Sequence, residues 1–377
     1  MESPVYLDNG ATTKVDPRVA AACVQAMTEA YGNPSSSHRL GVEASRRLAL
    51  AREQVARALG ADPAEITFTS GGTEANTLGF YGAARASRHK HVVLSGLEHP
   101  SVADAARQLT QEGHDVTVVP PGRDGVVDSA RLADAVRPET AVVALLWVQN
   151  EIGTVQPVAA ASEAVKARAP RCHVHVDAVQ AVGKLAIDVG GAPFDSLALS
   201  AHKLHGPKGV GALWLKKGAR VQARMWGGGQ ERGLRPGTEG VPGIVGLGLA
   251  VELAEAARPQ AMPRLLVLRE TLWAGIALAR PDVRRHGDAA SCAPHILSVG
   301  FPGVPAEPLL HALEGHGVCV SAGSACHAKD KKPSATLRAI GVPDDMGTLR
   351  FSLSRFTTDD EIAFAIAALT AALREIA

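Results

Sequence analysis

The stretch from Leu197 to Leu215 constrains the fold more than any other part of the sequence. The apolar run Leu197 to Leu199 leads into a polar turn with Lys203, and a Gly/Pro-rich loop then leads to a second apolar run, Gly211 to Leu215. This pattern predicts two buried strands joined by a loop. A lysine at the end of a buried strand is partly desolvated, which favours its neutral amine and makes it a usable Schiff-base nucleophile. An ordinary surface lysine is the alternative.

A strand upstream supplies a carboxylate that suits such a lysine. Residues 173–177, His-Val-His-Val-Asp, alternate with a period of two, so Asp177 ends a strand at the edge where open α/β sheets bind ligands. A buried carboxylate there needs a cationic partner. Pyridoxal phosphate (PLP) enzymes combine a Schiff-base lysine with an acidic group at the ring nitrogen. A helix N-cap is the alternative role for Asp177. The Cys172, His173 and His175 spacing is too compact for a zinc site.

The remaining patterns predict an α/β protein. Its length of 377 residues exceeds one average domain and suggests two. Helices are predicted from Pro17 to Ala30, from Val42 to Leu59, from Leu132 to Val136 and from Gly243 to about Glu255. Pro259 and Pro263 mark the point where the chain leaves the large domain. Thr358 and Glu361 predict a capping box for a last helix that ends at Ile376.

Composition narrows the class of protein and its partners. A formal net charge of +1 argues against a protein that binds nucleic acid or a membrane surface, because it provides little attraction for a polyanion. The sequence shows no signal peptide pattern and no apolar stretch long enough to predict a membrane helix. Five cysteines, an odd number and widely scattered, predict no disulfide framework and favour a reducing cytoplasm.

Cys319 and Cys326 have different surroundings. Cys319 stands between valines in a predicted strand, and we expect it to be buried. Cys326 lies in a polar loop, and the nearby His327, Lys329, Lys331 and Lys332 favour the nucleophilic thiolate. An exposed thiol in an ordinary loop is the alternative.

Blocks of sequence along nearly the whole chain occur in the order of a known family. They are Tyr6-Leu-Asp-Asn-Gly-Ala-Thr-Thr13, Gly32-Asn-Pro-Ser-Ser-Ser-His38, Phe68-Thr-Ser-Gly-Gly-Thr-Glu-Ala-Asn76, Glu98-His-Pro-Ser101, Gln149-Asn-Glu-Ile-Gly-Thr154, Asp177-Ala-Val-Gln180, Ser200-Ala-His-Lys203, Gly227-Gly-Gly-Gln-Glu-Arg-Gly233, Ser321-Ala-Gly-Ser-Ala-Cys326 and Leu349-Arg-Phe-Ser-Leu353. They resemble the class V, fold-type I PLP enzymes, and the cysteine desulfurases in particular.

The resemblance implies a fold and a cofactor site. The fold is α/β, with a mostly parallel seven-stranded sheet in a large domain, 12–256. A smaller α+β domain, 1–11 and 257–377, carries a mobile catalytic loop at about 321–334. The implied cofactor-binding residues are Gly72, Thr73, His99, Asp177, Gln180, Ser200, His202 and Lys203, with Thr238 reaching the phosphate of the partner subunit's cofactor in a homodimer.

The resemblance also implies the substrate site and the reaction. Asn150, Arg350 and Asn9 would bind the substrate, L-cysteine. Lys203 and His99 would move protons while Cys326 takes the sulfur as a persulfide, leaving alanine. An acceptor protein would then receive the sulfur, for iron–sulfur cluster assembly or for tRNA or cofactor thiolation. No metal site is expected, although Cys326 could ligate an iron–sulfur cluster transiently.

Alternatives and departures accompany this resemblance. A selenocysteine lyase or another class V enzyme would keep Lys203, Asp177 and Gln180, whereas a transaminase has no need of Cys326. A sulfur-accepting partner without catalysis predicts a broken cofactor site, and a nucleotide-binding module lacks its glycine motif. Gly10 and Gly72 stand where the family usually has alanine, and His205 and Pro236 replace a usual tyrosine and serine.

Overall fold

The computed structural model describes residues 4–323 and 334–376, and its largest feature is a seven-stranded sheet. The strands of the described residues are β1 (Val5–Tyr6), β2 (Ile66–Thr69), β3 (His91–Ser95), β4 (Asp115–Val119), β5 (Thr140–Leu146), β6 (His173–Asp177), β7 (Ser196–Ser200), β8 (Gly211–Leu215), β9 (Arg284–Arg285), β10 (Ile296–Phe301), β11 (Val318–Cys319) and β12 (Gly347–Ser352).

The large sheet has the order β2-β8-β7-β6-β5-β3-β4. Its strands are parallel apart from β8, which runs antiparallel to β2 and β7. The central strands β5, β6 and β7 are buried along their whole length, as expected for a parallel sheet covered on both faces. The predicted α/β class with a mostly parallel seven-stranded sheet is confirmed.

Helices cover this sheet and join its strands. The α-helices of the described residues are α1 (Pro17–Glu29), α2 (Arg39–Leu59), α3 (Gly72–Asn76), α4 (Gly82–Ala86), α5 (Pro100–Gln111), α6 (Ser129–Asp134), α7 (Val158–Arg168), α8 (Val241–Ala279), α9 (Ala306–Gly315), α10 (Ala335–Ala339) and α11 (Asp359–Glu375). A π-helical turn, Thr77–Tyr81, joins α3 to α4. The capping box at Thr358 and Glu361 begins α11 as predicted.

The longest helix, α8, corrects one expectation from the sequence. The prediction ended a helix near Glu255, but α8 continues through Pro259 and Pro263 to Ala279. A proline removes one helical hydrogen bond and crowds the preceding turn. The helix persists because both of its halves are packed: residues near Leu247 lie in the core beside the large sheet, and residues near Leu272 lie in a second core.

The second core surrounds a smaller sheet of order β12-β10-β9. Strand β1 pairs in parallel with β11 beside it, so the N-terminal segment joins the C-terminal part of the chain. Leu7 is packed in this second core together with α11. The domain boundaries, 12–256 against 1–11 with 257–377, stay a prediction.

Candidate active site

A cavity of about 270 Å³ lies at the carboxyl ends of β5, β6 and β7, where parallel sheets bind ligands. It brings together most of the residues predicted from the sequence. The predicted residues that line it are Gly72, Thr73, His99, Asn150, Asp177, Gln180, Ser200, His202, Lys203 and Arg350.

Lys203 enters the cavity from the short 3₁₀ turn that follows β7. Its Nζ donates hydrogen bonds of 2.6 Å to the carbonyl oxygens of both Gly10 and Ala11. Gln180 donates to the same Gly10 carbonyl at 2.9 Å. The N-terminal segment therefore completes the cavity and holds the lysine amine in place.

Asp177 ends β6 and is buried. Its Oδ1 accepts from the backbone N–H of Val179 at 3.0 Å, and its Oδ2 accepts from the Asn76 side-chain amide at 2.6 Å. These two donors fix the plane of the carboxylate. Sequence reasoning quoted Asn76 within a motif but did not assign it a role.

His99 begins α5 as its N-cap, with a defined hydrogen-bond pattern. Its Nδ1 accepts from the backbone N–H of Ser101 at 3.1 Å and lies 2.8 Å from the Ser101 hydroxyl. Because Nδ1 faces a backbone donor, it carries no proton, and the neutral ring holds its proton on Nε2. Nδ1 of His99 therefore serves as a hydrogen-bond acceptor and is not the site of the ring proton.

Another part of the cavity wall is formed by Gly72 and Thr73 at the start of α3. Gly71, just before the helix, has φ 154° and ψ −177°, a conformation essentially restricted to glycine. Ser200 and His202 approach from the end of β7. Burial, followed by the charge of Lys203, lowers the pKa of His202 to about 4, so this ring is neutral near pH 7.

These groups fit PLP. Asp177 offers a carboxylate for a pyridinium nitrogen, Lys203 offers an amine, and the N–H groups at the start of α3 offer donors for a phosphate. Gly72 also has a packing role, because a Cβ there would meet Val179 Cγ2 at 2.7 Å. An alanine at position 72 would require Val179 to move.

Arg350 reaches the cavity from β12 of the smaller sheet, and its side chain is almost fully buried. Its Nη2 donates to Asp8 Oδ1 at 2.7 Å and its Nη1 to the Asn150 carbonyl at 2.8 Å. Its Nε has no hydrogen-bond partner among the described residues. The planar guanidinium suits a carboxylate ligand, which would have to compete with Asp8.

Three predicted residues are not brought into this cavity. The Asn9 amide donates to the carbonyls of Tyr6 and Ser352, at 3.1 and 2.9 Å, and the residue lines a neighbouring cavity. Thr238 is exposed and lines a third cavity with Glu231. Cys326 lies outside the described residues. The roles assigned to these three residues stay predictions.

Two half-buried residues near the site have ionisable groups shielded from water, which the sequence did not predict. Burial raises the pKa of Glu98, next to His99, to about 8. Burial, together with the charge of Lys203, lowers the pKa of Lys184 to about 7, and its amine donates to the Lys203 carbonyl at 2.8 Å. Only burial distinguishes these residues from surface charges, and local sequence does not reveal it.

The described residues contain neither a metal-binding cluster nor a membrane-spanning helix. Within the described part of the chain, no three His, Cys, Asp or Glu side chains are grouped so that they could hold a metal ion. None of the helices in residues 4–323 and 334–376 combines the length and apolar character needed to cross a membrane.

Comparison with known proteins identifies the family. The family described as aminotransferase class-V matches residues 5–364. The cysteine desulfurase IscS of Pectobacterium atrosepticum is 45% identical over 375 residues, which cover 97% of this chain and 92% of the relative. The IscS of Escherichia coli strain K12 / DH10B shows the same identity and coverage.

Solved structures agree with this result. A NifS-like protein superposes with a TM-score of 0.93 at 35% identity, covering 99% of this chain and all of the other. A protein described as SspA in complex with cysteine has a TM-score of 0.80 at 32% identity, covering 94% of this chain and 99% of the other. The chain therefore belongs to the class V aminotransferase family, and within it to the PLP-dependent cysteine desulfurases.

Proposed function

We propose that the protein removes sulfur from L-cysteine, releasing L-alanine and leaving a persulfide on Cys326. The observation that carries this proposal is that one cavity unites Lys203, Asp177 and Arg350. A lysine, a cofactor carboxylate and a carboxylate-binding arginine are the groups that a PLP enzyme acting on an amino acid requires. The similar protein that is described as a complex with cysteine supports the choice of substrate.

The residues around the cavity would hold the cofactor at several points. Lys203 would hold it through its amine, Asp177 through the ring nitrogen, and the start of α3 with Ser200 through the phosphate. When bound, PLP supplies an electron sink for the electrons released at the substrate Cα. His99 and Gln180 line the same cavity and would complete the wall around the ring.

The remaining groups bind the substrate and move protons. The Arg350 guanidinium would bind the substrate carboxylate, with Asn150 beside it. Lys203, whose amine is held by two backbone carbonyls, would act as the base that takes the Cα proton. His99 would exchange protons through Nε2, because its Nδ1 already accepts from Ser101.

Sulfur transfer requires a nucleophilic thiolate beside this cavity. The Cys326 thiolate would attack the substrate sulfur, so an S–S bond forms as the C–S bond breaks, and the substrate Cβ gains a proton to become the alanine methyl group. One cysteine and one enzyme thiol thus give one alanine and one persulfide. The reaction needs no external oxidant or reductant.

The described residues on either side of Cys326 are anchored close to the substrate groups. Ser321 and Arg350 exchange two backbone hydrogen bonds, of 3.2 and 2.7 Å. The Ser334 hydroxyl donates to Glu151 Oε2 at 2.6 Å, and Glu151 follows Asn150 in the chain. Cys326 is three residues beyond Gly323, so chain length alone limits their separation to about 11 Å.

The decisive experiment compares two cysteine variants. With L-cysteine, PLP and a thiol reductant, wild-type protein should form alanine and sulfide in equal amounts. Cys326→Ala should keep the yellow cofactor and form neither product. Cys319→Ala is the matched control and should behave like wild type. Cys319 is half-buried, not fully buried as the sequence predicted, but this burial still raises the pKa of its thiol and makes it a poor nucleophile.

A persulfide should also be detected directly. Without reductant, mass spectrometry should find the added mass of one sulfur atom on the peptide that contains Cys326, and not on the peptide that contains Cys319. If Cys326→Ala is as active as wild type, or if the protein only transfers amino groups to a keto acid, the desulfurase proposal fails.

We also propose that the enzyme is a cytoplasmic homodimer that passes its sulfur to an acceptor protein, for iron–sulfur cluster assembly or for tRNA or cofactor thiolation. Exposed apolar side chains support the dimer: Trp226 is 84% exposed and Tyr31 68% exposed. Thr238, which is exposed and does not line the cavity that contains Lys203 in its own subunit, would contact the partner's cofactor phosphate. Sedimentation of the holoenzyme should give the mass of a dimer.

A further inference from the structure

A chain of buried hydrogen bonds runs from Asp177 into the large sheet. Asn76 donates its amide to Asp177 Oδ2 at 2.6 Å, and its Oδ1 lies 3.0 Å from His175 Nε2. His175 Nδ1 lies 2.8 Å from the Ser196 hydroxyl, which lies 2.7 Å from His173 Nε2. Asn76, His175 and Ser196 are each no more than 1% exposed.

One carboxylate determines the direction of every bond in this chain. A carboxylate only accepts, so Asn76 must turn its NH₂ group toward Asp177 and its oxygen toward His175. His175 therefore carries its proton on Nε2. Burial lowers the pKa of His175 to about 3 and that of His173 to about 4, so both rings are neutral. The Ser196 hydroxyl then donates to His175 and accepts from His173 Nε2.

Asn76 also connects Asp177 to His99. Its Nδ2 donates to the Ser101 hydroxyl at 2.9 Å as well as to Asp177. With its oxygen occupied as an acceptor, Ser101 directs its O–H toward His99 Nδ1, 2.8 Å away. Within the described residues, Asn76 is thus the direct link between the carboxylate and the branch that leads to His99.

The backbone makes room for this arrangement. A π-helical turn, Thr77–Tyr81, begins immediately after Asn76, and such turns occur often at functional sites. Within it, a Cβ on Gly79 would come within 2.5 Å of His175 ring atoms. The His175 ring can occupy its position only because residue 79 is glycine.

We infer that Asn76 is a positioning residue whose amide, oriented by His175, Ser196 and His173, fixes Asp177 for the cofactor ring and couples it through Ser101 to His99. The inference deepens the proposed function, because it gives the cofactor carboxylate its support. It rests on hydrogen-bond directions that can be measured independently of cysteine turnover.

Histidine tautomers provide the first test, in wild-type protein labelled with ¹⁵N-histidine. His173 and His175 should both appear as neutral Nε2–H forms between about pH 6 and 8. Finding His175 as the Nδ1–H form would overturn the inference, because Asn76 would then have to turn its amide oxygen toward Asp177. This measurement uses wild-type protein, so its result does not depend on whether a variant folds.

Cofactor affinity provides the second test. Asn76→Asp keeps the shape and the acceptor for His175 but replaces the NH₂ donor with a carboxylate oxygen. It should weaken PLP binding to the apoenzyme by roughly 10- to 100-fold, and should shift the pH titration of the bound cofactor's absorbance. His175→Phe should weaken binding by roughly 3- to 10-fold, since the Asn76 amide survives but loses its orienting donor.

His91→Phe is the matched control. His91 is similarly buried, on strand β3 of the same sheet, two strands away from β6. Its ring bonds two threonine hydroxyls, at 2.8 and 2.9 Å, and does not line the cavity. It should lower thermal stability like His175→Phe but leave cofactor affinity within about twofold of wild type. The inference is wrong if Asn76→Asp binds PLP as wild type does, or if His91→Phe weakens binding as much as His175→Phe. Failure of cysteine turnover alone would contradict only the desulfurase proposal.

Discussion

The two halves of the active site are built in different ways. The cofactor half consists of four residues that line the cavity: Lys203, Asp177, Asn76 and His99. Asp177 ends β6, Lys203 lies in the turn after β7, Asn76 ends α3 and His99 is the N-cap of α5. The substrate half consists of Arg350, Asp8 and Asn150, which come from three distant parts of the chain.

The halves also differ in how their charged groups are held. In the cofactor half, backbone and amide donors fix the carboxylate, and backbone carbonyls hold the lysine. In the substrate half, the guanidinium of Arg350 already binds the carboxylate of Asp8. The cofactor half is therefore preorganised, whereas a substrate carboxylate that binds Arg350 would have to displace the carboxylate of Asp8.

The largest effect should come from removing the lysine of the cofactor half. Lys203→Ala should lower the rate of alanine formation by roughly 10²- to 10⁴-fold, because it removes the proposed base. Alanine yield in a single-turnover assay measures this directly. Substantial activity in this variant would mean that another group takes the Cα proton, and that the cofactor half has been assigned wrongly.

A substitution of Arg350, the cation of the substrate half, should change substrate binding without changing cofactor binding. Arg350→Lys keeps the charge but loses the planar fork, and should raise KM for L-cysteine by roughly 10- to 100-fold. PLP affinity should stay within about twofold of wild type, since the guanidinium of Arg350 donates to Asp8 and Asn150 of the substrate half. Kinetics and a PLP titration of the same preparation check both statements. A large loss of PLP affinity would show that the halves are not independent.

The pH dependence of stability tests how strongly the carboxyl group of Glu98 is excluded from water. Burial raises its pKa from 4.5 to about 8. Between these two pH values the folded protein keeps the proton that the unfolded chain releases, so stability falls as the pH rises through this window. Glu98→Gln removes this dependence and should increase the free energy of unfolding at pH 8 by roughly 1–3 kcal/mol. Denaturant unfolding at pH 5 and pH 8 measures the difference, and equal slopes with pH in both proteins would contradict it.

The smallest effect should arise where the two halves meet, at Gly10. Its carbonyl accepts from Lys203 in the cofactor half, whereas a Cβ would lie 3.2 Å from Arg350 Cζ and 3.0 Å from Ser352 Oγ. Gly10→Ala should therefore move Arg350 slightly and raise KM by roughly two- to fivefold, with PLP affinity unchanged. If PLP affinity falls instead, the substitution acts through the carbonyl that binds Lys203.

The sequence predicted the roles of Asp177 and Lys203 far better than those of the residues that surround them. Asp177 and Lys203 follow apolar strands, and a polar group at the end of a buried strand is visible in local alternation. The same alternation says nothing about Asn76, because an asparagine inside a helix usually faces solvent. Nor does it reveal that the Oε2 atom of Glu98 is buried, since a charged residue before a helix is ordinarily exposed.

The sequence by itself determined the α/β class, the strand ends and the motifs that assign the family, because apolar periodicity and the geometry of glycine act over a few residues. Only the tertiary structure decided that Asp8 pairs with Arg350, that Asn76 holds Asp177, and that α8 continues through two prolines. Each of these depends on contacts between segments far apart in the chain. Such contacts are set by packing and by the need to satisfy buried polar groups, which no local pattern encodes.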